Sequence, residues 1–275
     1  MKKCFLYLSL LFCISIAALT FAWDINLLSY ITSCYESRFT HNIYSSGKLV
    51  ESKKAKTLIK LLNSVEVYQP LYNIKFANSN DSKLFAPKRD TSSIERANLV
   101  YNYLKQDIKN SKVTILDIGS SMGYMSMFFA DRGANVVGID TTLQNVEISN
   151  LVAQINNLKN IKFYNAAFDK DYVRSLSGKY DVVFLFSVVH HIINSHGLEY
   201  AQKLVCDLIH QVPLLFIELA LAEETVDFTW KSALPNDHLK LFENCDCSVE
   251  KLAEFDTHLS PIKRPLYLVK KKNNS

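Results

Sequence analysis

An acid and two glycines fall close together in Asp117-Ile118-Gly119-Ser120-Ser121-Met122-Gly123, directly after the apolar residues 113–116. A glycine at the end of a strand lets a ligand approach the backbone. A second, further on, lets the next helix pack close to the sheet. Roughly twenty residues later a second apolar run closes on Gly138-Ile139-Asp140, where a carboxylate can accept both hydroxyls of a ribose. Together these residues describe a nucleoside-binding turn. A dinucleotide would need G-x-G-x-x-G, whose middle glycine admits the pyrophosphate. This chain has G-x-x-x-G with Ser121 in that position. S-adenosylmethionine has no phosphate to cradle, and acids at 117 and 140 suit its cationic methionine end and its ribose.

The pattern D-x-G-x-x-x-G followed by an acid at the end of a second strand resembles class I methyltransferases. That resemblance implies cofactor contacts from Asp117, Gly119, Ser120, Gly123 and Asp140. It also puts Asn165-Ala166-Ala167-Phe168-Asp169 beside the adenine, with Phe168 covering the ring and Asp169 accepting from the exocyclic amine. A fourth apolar run ends in Ser187-Val188-Val189-His190-His191, where the functional crevice of a parallel sheet lies. Adjacent histidines there face different ways. Ser187 and His190 are assigned to the cofactor wall and His191 to the substrate. A pair of purely structural histidines is the competing account. No third histidine or carboxylate has metal-ligand spacing around them, so no metal is assigned.

These residues require a frame of alternating strands and helices. Strands are expected over 113–118, 134–139, 161–166, 180–187 and 214–219, with late strands over 249–256 and 265–269. Helices are expected over 94–109 (capped by Ser92 or Ser93), 123–132, 143–156 and 198–210. The continuous apolar core of 182–186 suits a strand buried on both faces. The expected class is α/β, Rossmann-like, with a mostly parallel central sheet and helices on both faces. Residues 51–60 read as a solvated helix face, 61–74 as a short amphipathic segment and 77–93 as a loop. The expected domains are 1–22 as signal peptide or membrane anchor, 23–93 as an extension covering the cofactor, 94–270 as the catalytic domain and 271–275 as a tail.

The chain has 275 residues, 48% of them apolar, and a net charge of +4. That excludes bulk disorder, and the charge is too mild for a dedicated nucleic-acid binder. Residues 1–22 are mostly apolar, with Lys2 and Lys3 as their only charges. They read as an export signal or an uncleaved anchor, and so as membrane association or secretion, with catalysis facing the cytoplasm as an alternative topology. No C-x-x-C pair is present, and the cysteines are expected as surface or half-buried thiols.

A closer resemblance rests on longer runs. These are Val65–Tyr72, Ser187–Gly197, Phe216–Glu224 with Trp230, and above all Phe255-Asp256-Thr257-His258-Leu259-Ser260-Pro261. Over about 64–270 the chain resembles the methyltransferase domain of the bifunctional methyltransferase/kinase that terminates bacterial O-antigen polysaccharides. The resemblance implies polysaccharide biosynthesis, with methyl transfer to the phosphate on a phosphorylated glycan terminus. It implies that Tyr68 and Arg96 reach the carboxylate end of the cofactor, and a guanidinium can pair with a carboxylate in two-pronged fashion. His191, His258 and Arg264 are the candidates to hold the phosphate, with Arg89 as an outsider. For a hydroxyl acceptor, His191 would be the base. Another small molecule, a lipid or an RNA terminal phosphate is the alternative acceptor, and a non-catalytic accessory protein the alternative class. No kinase portion follows the resembling stretch, so the phosphorylated acceptor is expected from a separate kinase.

Overall fold

The computed structural model describes residues 42–272, apart from 90, 226, 258 and 259. The apolar N-terminal run, Cys4, Cys13, Cys34 and the candidate His258 lie outside the described residues. Three short strands, β1 (Ile43–Ser45), β2 (Lys48–Leu49) and β3 (Ile74–Phe76), form an antiparallel sheet that the sequence reading did not anticipate. The helix α1 (Ser52–Leu62) interrupts it, burying Ala55, Leu58 and Leu62 and exposing Lys53, Lys56 and Lys60. The expected loop 77–93 instead contains α2 (Ser79–Leu84), whose first turn is capped by Asn78 accepting from the Asn80 and Asp81 amides. The next helix, α3 (Thr91–Asn110), starts earlier than expected. Ser92 and Ser93 are buried within its first turn rather than capping it, and the Ser93 hydroxyl donates back to the Arg89 carbonyl.

From there strands and helices alternate: β4 (Thr114–Ile118), α4 (Tyr124–Ala130), β5 (Asn135–Asp140), α5 (Leu143–Ile155), β6 (Ile161–Asn165) and β7 (Val182–Phe186) as expected, with α6 (Lys170–Arg174), not anticipated, between β6 and β7. Then come α7 (Val189–His196), α8 (Leu198–Gln211), β8 (Leu214–Glu218), β9 (Cys247–Phe255) and β10 (Arg264–Lys271). The seven-stranded sheet has the order β6-β5-β4-β7-β8-β10-β9. Strands β6 to β8 are parallel, while β10 runs antiparallel to both β8 and β9. The chain is thus the α/β fold of class I methyltransferases, a mostly parallel sheet between two helical layers.

Alternation along the strands divides the core. Val182, Phe184 and Phe186 of β7 face the layer holding α1, α3, α4 and α5, while Val183 and Leu185 face α6, α7 and α8. The strand order reverses at β4, whose neighbours are β5 and β7. Crevices form above the carboxyl ends of strands at such a reversal. Here the two turns nearly touch: a Cβ on Gly119 would sit 2.3 Å from Val188 Cγ2. Cys206 on α8 forms a disulfide with Cys245, where free thiols were expected, and Cys247 is a buried thiol.

Candidate functional site

A cleft of about 1020 Å³ opens above the ends of β4, β5, β6 and β7, large for a small-molecule site. Its lining brings together Tyr68, Arg96, Gly119, Asp140, Phe168, Ser187, His190, His191 and Arg264. Arg89, ranked an outsider in the sequence, also lines it. Four of the predicted cofactor residues do not. Asp117 shares strand parity with Ile115, which faces the α4 layer, so its carboxylate turns under that helix and accepts from Ser126 Oγ at 2.5 Å. Burial pushes its pKa up to about 6, the Ser126 bond opposes this, and Asp140 adds to it. Ser120 is buried, its amide donating to the Ile139 carbonyl. Gly123 has a φ of +77° where α4 begins, and a Cβ there would sit 2.6 Å from Phe163 Cζ, so its part is close packing of helix on sheet. Asp169 caps α6, accepting from the Tyr172 amide at 2.9 Å.

At the β5 side, Asp140 stands at the cleft lip. Its Oδ2 accepts from the Ser121 amide at 2.8 Å and its Oδ1 from the Thr142 amide at 2.8 Å. The wall beyond it is formed by Ala166, Ala167 and Phe168, apolar side chains that suit a purine. Gly119, with a φ of +72°, presents backbone without a side chain between these walls and β7.

At the β8 side the cleft floor is a buried charge cluster. Glu218, fully buried at the end of β8, pairs with Arg96 Nη2 at 2.5 Å and with Arg89 Nη1 at 3.3 Å. Its Oε1 also accepts a short hydrogen bond from the Ser187 hydroxyl. Burial alone would raise the Glu218 pKa, but Arg96 and Arg89 hold it below the ordinary carboxylate range. Arg264 pairs with Glu224 in two-pronged fashion, at 2.7 and 2.8 Å, and its Nη1 donates to Ser187 Oγ at 3.2 Å. Three arginines against two glutamates leave one positive charge at the floor. Glu224 occupies one edge of the Arg264 guanidinium, so Arg264 meets the cleft as a partly neutralised cation. Arg96 is likewise committed to Glu218, and burial brings its pKa down to about 10.

Sequence reasoning assigned no role to Glu218 or Glu224, although their position in the apolar run 214–224 was a signal. A carboxylate buried there must have a cation. The histidines occupy the first turn of α7, not a strand end. His190 is buried against Trp230, with ring centroids 4.7 Å apart, and His191 is exposed. Burial of His190, with His191 and Arg264 beside it, lowers its pKa, and the partial desolvation of the His191 ring, with Arg264 near it, lowers that of His191.

This donor set fits S-adenosylmethionine. Asp140 suits the ribose and the Phe168 wall the adenine. Buried Nε atoms of Arg89 and Arg96 find no partner among the described residues.

The comparisons with known proteins agree on the class. A protein-family model for a methyltransferase domain matches residues 109–204, so the chain carries a methyltransferase domain. The bifunctional O-antigen chain terminator methyltransferase/kinase WbdD of Escherichia coli is 33% identical over 157 residues, spanning 57% of this chain and 22% of that protein. A solved structure of WbdD superposes with a TM-score of 0.68 at 30% identity, covering 78% of this chain and 46% of that one. The magnesium protoporphyrin IX methyltransferase of Synechocystis PCC 6803, solved with S-adenosylmethionine bound, shares the fold. Its TM-score is 0.50 at 18% identity, covering 66% of this chain and 80% of that one. Residues 109–204 are thus a domain of the methyltransferase class, and the chain spans less than half the length of the WbdD relatives it matches.

Proposed function

We propose that this enzyme methylates a phosphate oxygen on a phosphorylated glycan terminus. The observation that carries the reading is the surplus positive charge at the acceptor end of the cleft, where Arg89, Arg96 and Arg264 outnumber Glu218 and Glu224. S-adenosylmethionine, when bound, supplies an electrophilic methyl group. The protein's own residues then have modest tasks. Asp140 and the Phe168 wall orient the nucleoside. The arginine floor attracts the anionic acceptor, while the glutamates paired with it temper the pull, so the phosphate oxygens stay nucleophilic. A phosphate ester is already anionic near neutral pH, so positioning and exclusion of water suffice. The likeness to WbdD, a methyltransferase/kinase of O-antigen chains, supports the glycan phosphate, which a kinase reaction would supply.

A hydroxyl acceptor is the second reading, favoured by one observation. His191 is exposed in the cleft with a lowered pKa, hence neutral and able to take a proton near pH 7. Labelled S-adenosylmethionine offered with a phosphorylated glycan, before and after phosphatase, separates the two. Label transfer should vanish after phosphatase, and undiminished transfer overturns the phosphate reading.

We also propose export or membrane association, on residues 1–22. Among the described residues no helix is long and apolar enough to cross a membrane. The Cys206–Cys245 disulfide supports an oxidising compartment. Cell fractionation of the full chain tests this, and recovery wholly in the soluble cytoplasm overturns it.

A further inference from the structure

We propose that Phe228 and Trp230 form a platform on which the acceptor's pyranose ring stacks, with its phosphate directed to the arginine floor. The proposal rests on the phosphate-ester reading above and names the group that carries the phosphate. Both side chains line the cleft. Their rings lie nearly parallel, 20° apart with centroids at 5.4 Å. Trp230 is buried, whereas Phe228 is 37% exposed and carries the stack to the cleft mouth. On the inner side the Arg264 guanidinium lies 5.6 Å from the Trp230 ring centroid. An unbroken series therefore runs from an open aromatic face to a buried cation in the same cleft. A ligand that fits it is anionic at one end and flat and apolar at the other.

The remaining lining decides between a sugar and an aromatic ring. The turn Lys231–Ala233 packs on α7, and Asn194 and Ser195 of that helix are exposed in the cleft with Thr229. Ser195 Oγ is already bonded to the His191 carbonyl and to His196 Nδ1, but an aromatic acceptor would offer nothing to the Asn194 amide and the Thr229 hydroxyl. A pyranose offers C–H groups on one face for the ring and hydroxyls at its edge for the amide and hydroxyls.

Calorimetry on the full chain saturated with S-adenosylhomocysteine tests this with four probes: a hexose 1-phosphate, glycerol phosphate, phenyl phosphate and the free hexose. The hexose phosphate should bind about tenfold tighter than glycerol phosphate. Phe228→Ala should erase that preference and Phe228→Tyr should keep it, with thermal unfolding showing both variants folded. Equal binding of hexose and glycerol phosphates overturns the platform and leaves the phosphate reading intact. Tighter binding of phenyl phosphate than of hexose phosphate overturns the sugar. Free hexose binding as tightly as its phosphate supports the platform and overturns the phosphate reading. Absence of binding by all four overturns the proposal.

Discussion

Asp117 shows how one side chain can follow a motif and still serve another purpose. It is 3% exposed, and its carboxyl is bonded to Ser126 rather than offered to the cleft. Its folded pKa of about 6 lies above the unfolded value of about 4. Such a group contributes stability below the unfolded value and loses it as pH rises through the folded one. Asp117→Asn should therefore gain on the parent between about pH 4 and about pH 8, by on the order of 2 kcal/mol. Chemical denaturation at the two pH values measures it, and a constant difference contradicts it. Glu218 is the opposite case. Glu218→Gln strands two buried guanidinium groups, Arg89 and Arg96. It should cost about 3–5 kcal/mol of folding stability, read from denaturant midpoints. A variant as stable as the parent would mean the arginines reach water.

Among the elements, the two turns at the sheet's reversal carry the tightest constraint. Gly119 has a left-handed φ of +72° and no room for a Cβ beside Val188. Gly119→Ala should therefore lose stability through both strain and collision, by about 1–3 kcal/mol, and weaken cofactor binding. Adding Val188→Ala should restore the part due to collision and leave the part due to φ, as thermal unfolding and calorimetry would show. Full recovery would make the backbone angle irrelevant. The strands from 113 onward and the helices α4, α5 and α8 were legible because apolar runs and glycines mark local conformations, whereas the short helices α6 and α7 were not. The turn before α4 was legible for the same reason. The charge cluster was not, because it forms between residues far apart in sequence, as in the Arg89–Glu218 pair. Nor was the small antiparallel sheet, whose strands are two or three residues long and leave no periodicity to read. Asp117 misled because strand parity, not spacing to the glycine, decides which way a side chain points.

On the scale of the whole molecule, the disulfide and the charge cluster tie distant stretches together. The Cys206–Cys245 bridge closes a sequence separation of 39 residues, fastening α8 to the segment that leads into β9. Reduction, or Cys245→Ser, should lower stability by about 2–4 kcal/mol. Thermal unfolding with and without reductant checks this, and superimposable curves would refute it. The charge cluster is assembled more widely, with members before α3, within it, after β7, at the end of β8, beyond it and at the start of β10. Each carboxylate offsets the cost of the cations it touches, so neither glutamate can change alone without leaving buried guanidinium charge uncompensated. In descent this makes the floor of the cleft inherited as a set. Across relatives Arg264 and Glu224 should be kept or exchanged together, as should Glu218 with Arg89 and Arg96. The aromatic rim above them is under no such bond and stays free to follow whatever acceptor each lineage meets.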